Sequence, residues 1–210
     1  MIKIKKENIM AFCENCGNNL NDGARFCSKC GAAVSAGQVQ GPQMGGGSFG
    51  WAQGPQMGGG DPFMQAFNAG IESMRADRDY DAIGYFTQAI QIKPDSTGAL
   101  FQRGQAFGRI GQYEAAIADL TTALQFPLDK RDMVYSTRGT IFYMAGAYDG
   151  AIADLDQAIK LNPHNAGHYG VRGMAYFKKG NIKKANADLE RGLKIDPTDE
   201  AMQQLAALYN

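Results

Sequence analysis

Three segments of equal length decide the fold: GQAFGRIGQYEAAIADL (104–120), GTIFYMAGAYDGAIADL (139–155) and GMAYFKKGNIKKANADL (173–189). Each opens on a glycine, carries an aromatic residue three positions on, reaches a second glycine at the seventh and ends in Asp-Leu. A fainter copy surrounds Gly70. The register residues Gly70, Gly104, Gly139 and Gly173 are spaced 34, 35 and 34 apart, and Ala82, Ala116, Ala151 and Ala185 repeat those spacings. Ala89, Ala123, Ala158 and Gly192 follow, and Pro94, Pro127, Pro163 and Pro197 close the copies. A fixed period of this kind predicts a solenoid of helix pairs, each too small to bury its own apolar face. Small residues in register let two antiparallel helices approach closely. Phe107, Leu120, Phe142, Leu155, Tyr176 and Leu189 fill the seam between them. Proline ends the second helix of each pair.

The turns Gly111-Gln-Tyr113, Gly146-Ala-Tyr148 and Gly180-Asn-Ile182, the run Ala-Ile-Ala-Asp-Leu in two copies, and the closings Leu-Asn-Pro163 and Ile-Asp-Pro197 resemble the tetratricopeptide repeat. The resemblance covers residues 63–199. It implies an all-α solenoid of four helix pairs (63–96, 97–131, 132–165, 166–199), with a capping helix over 200–210 in which Met202, Leu205, Ala206 and Tyr209 recur at helical spacing. The first copy departs most: Asp77 stands at the turn glycine and Ser73 at the aromatic position, as end repeats allow. In the second copy the proline of Pro127-Leu-Asp-Lys-Arg131 comes early. The first helix of each pair is expected to line a concave wall that receives a peptide or partner helix. On that wall the reading places Phe67, Ile71, Met74, Phe101, Gln105, Arg109, Thr140, Tyr143, Met174, Phe177 and Lys178. The set is aromatic and methionine-rich, suited to apolar anchors. Relatives that clamp the C-terminal carboxylate of heat-shock chaperones use Lys and Asn where this chain has Phe67, Ile71, Phe101 and Gln105, so that clamp is not expected.

The second module is Cys13-x2-Cys16, ten residues, then Cys27-x2-Cys30, which together hold all four cysteines of the chain. Gly17 and Gly31 follow the pairs and permit the turn that aims backbone N–H groups at thiolates. Four thiolates supply the tetrahedron that zinc prefers, with no position left for water, so one structural Zn2+ is expected over residues 11–34. Phe-Cys-Glu-Asn-Cys-Gly and Phe-Cys-Ser-Lys-Cys-Gly resemble short zinc-ribbon modules. Two disulfides, a redox dithiol and an iron site of the rubredoxin kind are the competing readings. Residues 35–62 carry Gly-Pro-Gln-Met-Gly-Gly-Gly twice and read as a flexible linker, with a docking role for Phe49 and Trp51 as the alternative. Residues 1–10 read as a flexible extension in which Met10 is a second candidate start.

Charge excludes some functions. The chain has formal net charge zero, and residues 63–210 carry 16 Lys/Arg against 17 Asp/Glu, which argues against a dedicated nucleic-acid stripe. There is no apolar run of spanning length and no secretory core, so a cytoplasmic location without a membrane partner is expected. No phosphate loop is present and no nucleophile has an identifiable base, so the chain does not read as an enzyme. His164 and His168 are taken as surface polar residues. Arg103, Arg138 and Arg172 precede the register glycines, and Asp119, Asp154 and Asp188 recur once per copy in the second helix. The first copy has Ala69 and Tyr85 instead, and joint presence with joint absence predicts intra-repeat ion pairs rather than a ladder for acidic ligands. The reading is an adaptor that binds a protein or peptide, with the zinc module as a second interaction surface. A nucleic-acid-associated factor is the competing class. Self-association is the third, because repeat four (166–199) carries 7 Lys/Arg against 4 Asp/Glu while residues 63–130 carry 6 against 8.

Overall fold

In a computed structural model of the chain, the described residues are 11–12, 19–20 and 61–209. They fall in two compact units, residues 1–94 and 95–210. The four cysteines, the segment with Phe49 and Trp51, and residues 1–10 lie outside the described residues.

The first unit holds strands β1 (Ala11–Phe12) and β2 (Asn19–Leu20), antiparallel with Ala11 opposite Leu20 and Phe12 opposite Asn19. It also holds helices α1 (Pro62–Arg75) and α2 (Asp79–Ile92). Asp61 caps α1 by accepting the Phe63 N–H at 3.0 Å, and Pro62 needs no N–H in the first turn. Gly70 lies against Phe86, whose ring a Cβ at position 70 would approach to 2.5 Å. Here the pair exchanges bulk relative to the other copies. Small Ser73 replaces their aromatic, and Phe86, fully buried, replaces their leucine, so the seam keeps its volume. Phe67 meets Phe86 edge-on at 5.7 Å.

The second unit holds α3 (Thr97–Arg109), α4 (Tyr113–Ala123), α5 (Arg131–Met144), α6 (Tyr148–Leu161), α7 (Ala166–Lys178), α8 (Ile182–Ile195) and α9 (Glu200–Ala207). Helices pair as α3–α4, α5–α6 and α7–α8, and α4 packs on α5 as α6 does on α7. Leu120 and Leu155 are fully buried, and a Cβ at Gly104 or Gly139 would stand 3.0 Å from their Cγ atoms. The early Pro127 shortens α4 to 11 residues, against 14 in α6 and α8. Every helix pair of both units turns in one way. The Gln112, Ala147 and Asn181 amides reach back to the Phe107, Phe142 and Tyr176 carbonyls at 2.8–2.9 Å, as does Arg78 to Ser73. The residue before each donor is left-handed: Gly111, Gly146 and Gly180 at φ 76–78°, Asp77 at 54°.

Candidate functional site

Along α3, Phe101, Gln105 and Arg109 follow one another four residues apart and share one stripe. Phe101 and Gln105 are half-buried and Arg109 is exposed. On α5, Thr140 and Tyr143 are half-buried, and the Thr140 hydroxyl donates to the Ser136 carbonyl at 2.9 Å. Tyr143 leans on Tyr148 with centroids 5.8 Å apart, and burial holds its phenol above the usual range. In the first unit Phe67, Ile71 and Met74 are half-buried along α1.

The stripe on α7 is different. Met174, expected on the open wall, is buried with Met202 and Leu205, and half-buried Phe177 meets Tyr209 edge-on at 5.3 Å. Only Lys178 of that trio is exposed. The cause is α9, which lies directly on α7. A Cβ at Gly170 would come within 2.6 Å of the Ala201 Cβ and 2.7 Å of its carbonyl carbon. A Cβ at Gly173 would overlap the Leu205 side chain, and one at Gly192 would overlap the Met202 sulfur. Gly192 stands where the other copies have alanine because Met202 fills that space. Glycine inside a helix costs about 1 kcal/mol relative to alanine, so Gly170 and Gly192 were signals in the sequence that a helix packs there.

The repeated arginines are committed to the fold. Arg103 Nε and Nη2 donate to the two carboxylate oxygens of Asp119, both at 2.7 Å. Arg138 does the same to Asp154 at 2.7 and 2.8 Å, and Arg172 to Asp188 at 3.0 and 2.6 Å. Two of them also tie neighbouring pairs together. Arg138 Nη1 donates to Thr121 Oγ1 of α4 at 2.7 Å, and Arg172 Nη1 to Asp156 Oδ1 of α6 at 2.6 Å. Arg138 lies near the Tyr135 and Phe142 rings, and Arg172 near Tyr169 and Tyr176. The bond to Asp154 raises the Arg138 pKa. Burial alone would lower that of Arg172, but its bonds to Asp188 and Asp156 outweigh burial and raise it. Asp188 is nonetheless pushed up, by burial first and by Asp156, because two carboxylates share one guanidinium. A ladder for acidic ligands has no free forks to offer here.

His168 corrects the sequence reading. It is 3% exposed, five residues before its register glycine, where Ala99 and Val134 stand in the two preceding copies. Burial lowers its pKa, against the pull of Asp132, a backbone bond to Asn162 and Asp199. Its Nδ1 has no partner among the described residues. His164 is exposed, so the two imidazoles do not share a solvent-facing site. Among the described residues no group of three His, Cys, Asp or Glu side chains is placed to hold a metal. For the cysteine module the donor set itself is the test: two Cys-x2-Cys pairs give four thiolates, which suit tetrahedral zinc. In sequence, Cys13 and Cys16 fall in the connection between the paired strands β1 and β2.

Family models match in two parts of the chain. A zinc-ribbon domain matches residues 12–34, and tetratricopeptide repeats match residues 97–127 and 142–209. No curated protein matches the sequence. Among solved structures, a MamA protein aligns at TM-score 0.62 and 24% identity, over 70% of this chain and 80% of its own. MamA from Desulfovibrio magneticus aligns at TM-score 0.64 and 20% identity, over 71% and 84%. The anaphase-promoting complex heterotetramer Cut9–Hcn1 aligns at TM-score 0.63 and 18% identity, over 70% of this chain but only 29% of the matched chain. At these identities the likeness is one of fold.

Proposed function

We propose that this chain, a tetratricopeptide-repeat protein with an N-terminal zinc-ribbon domain, is a non-enzymatic adaptor that holds a partner peptide or helix on its first-helix wall. The observation that carries the reading is the contrast between α7, whose stripe is covered by α9, and α3 and α5, where Phe101, Gln105, Thr140 and Tyr143 keep part of their surface. Half-buried aromatic side chains on rigid helices are the usual anchors of such a contact. Phe67, Ile71 and Met74 offer the same chemistry on α1, and Arg109 and Lys178 add positive ends. Phe177 serves at the margin, since Tyr209 already takes one of its faces. Met174 supports the wall from below. In the ribbon, Cys13, Cys16, Cys27 and Cys30 would hold one Zn2+, which supplies the core that so short a segment lacks. The ribbon is then a second contact module.

The test is capture of a partner with the full chain, followed by Phe101→Ala and Tyr143→Ala. Each is expected to weaken binding by about 1–3 kcal/mol, and binding is expected to survive raised salt. A partner indifferent to both residues and released by moderate salt overturns the wall as the site.

A further inference from the structure

The turn 178–184 between α7 and α8 gathers Lys178, Lys179, Lys183 and Lys184 around Ile182, all exposed. The preceding turn, 144–149, lies beside it, because Lys179 pairs with Asp149. Lys184 stands 4.9 Å over the Tyr176 ring. Lys178 and Lys183 pair with no acid among the described residues. The first turn of α8 carries no acidic residue, whereas α4 has Glu114 there and α6 has Asp149. Apolar tips project among the charges: Ile182 is 43% exposed and Met144 51%, with Ala145 and Ala147 open beside them.

We propose that this edge docks on an anionic lipid surface, its lysines meeting headgroups while Ile182 and Met144 enter the interfacial layer. Turn tips form a ridge, and a ridge meets a flat surface better than it grips a chain. The cations are lysines, flexible point charges suited to a disordered layer of headgroups, and none is an arginine fork of the kind that reads phosphates one by one. The Tyr176 ring beside the lysines is already met by Lys184, which leaves it less free to stack on a base. Basic residues flanking exposed aliphatic side chains are the composition of an interfacial contact. The contact is peripheral: no described helix is long and apolar enough to cross a membrane. The sequence-based expectation of no membrane partner rested on spanning segments and does not bear on it.

The experiment is co-sedimentation of the full chain with vesicles of phosphatidylcholine alone or mixed with phosphatidylserine. Binding is expected only to the mixed vesicles and should weaken as salt rises. The double variant Lys178→Glu/Lys183→Glu is expected to lose about tenfold or more in vesicle affinity, each lysine near such a surface being worth about fivefold. Both positions are exposed. An acid at position 183 in the first turn of α8 suits the helix dipole, while one at position 178 in the last turn of α7 opposes it. The two effects offset, so a melting curve close to that of the parent will show that the fold is intact. Ile182→Ser is expected to weaken binding while leaving its salt dependence in place. Equal binding to both vesicles, or undiminished binding by the double variant, overturns the proposal. So does retention of nucleic acid or an acidic protein by this edge without vesicle binding.

Discussion

Replacing Gly170 by alanine tests how α9 is seated. In an isolated helix the change is stabilising by about 1 kcal/mol, because glycine is the poorer helix former. Here the new Cβ would stand 2.6 Å from the Ala201 Cβ and 2.7 Å from a backbone carbon of the same residue. An ordinary carbon–carbon contact needs roughly 3.5–4 Å, and the obstructing atoms are backbone and the Cβ fixed to it, so α9 has to retreat by about an ångström. Overpacking of this kind costs about 1–3 kcal/mol. If α9 detaches altogether, Met202 and Leu205, both fully buried, lose burial worth about 1.5–3 kcal/mol each. The expected net change is therefore a loss of up to about 2 kcal/mol, read by urea unfolding. Amides of α9 should exchange faster with solvent in the variant. The sign is the decisive feature. In a chain ending at residue 199 the obstruction is gone, and Gly170→Ala should become stabilising, by up to about 1 kcal/mol. A variant that is more stable in the full chain refutes the packing of α9 on α7. So does an equal loss in both chains.

The remaining expectations use the same kind of measurement. Arg138→Asp should destabilise, and adding Asp154→Arg should restore part of the loss, since the two side chains meet in two parallel hydrogen bonds; strictly additive losses would show that they do not interact. Asp77→Gly should raise the melting temperature, because a non-glycine residue at φ 54° costs about 1–2 kcal/mol; a fall would mean that the aspartate side chain contributes more than the strain it imposes. The purified chain should carry zinc, and chelation should leave the helical circular dichroism of the repeats nearly unchanged; an iron-containing red protein would exclude zinc. His168 is held neutral by burial, so below its ordinary value of 6.5 the unfolded chain takes up a proton that the folded chain refuses. Its contribution to stability is therefore complete above that pH and falls as the pH drops through it. His168→Val, which copies Val134, should flatten that part of the profile, and an unchanged slope would assign the dependence to other groups.

What could be read from residue order was whatever each copy had to solve locally and alike. The small residues of the seam, the left-handed turn and the closing proline recur because every helix pair meets the same steric problem. The Arg–Asp pairs were legible for a related reason: the first copy lacks both partners at once. The third bond made by Arg138 and by Arg172 was not legible, because its acceptors Thr121 and Asp156 differ in type while bonding to the same nitrogen of the next pair's arginine. The burial of His168 was not legible, because polarity is a poor guide at a register position whose burial is set by neighbouring elements. The largest gap concerned α9. Its apolar spacing showed that it caps, but where a cap settles is decided by non-local fit, and only Gly170 and Gly192 carried a trace of it. That placement has a functional consequence. A wall drawn from periodicity alone is equally open on every first helix, yet the chain closes one end with its own Met202, Leu205 and Tyr209. On the proposed reading the partner meets α3 and α5 in the second unit, so substitutions at Phe101 and Tyr143 should act on binding while Met174→Ala should act on stability. Opposite results at those positions would mean that α9 leaves α7 when the partner arrives.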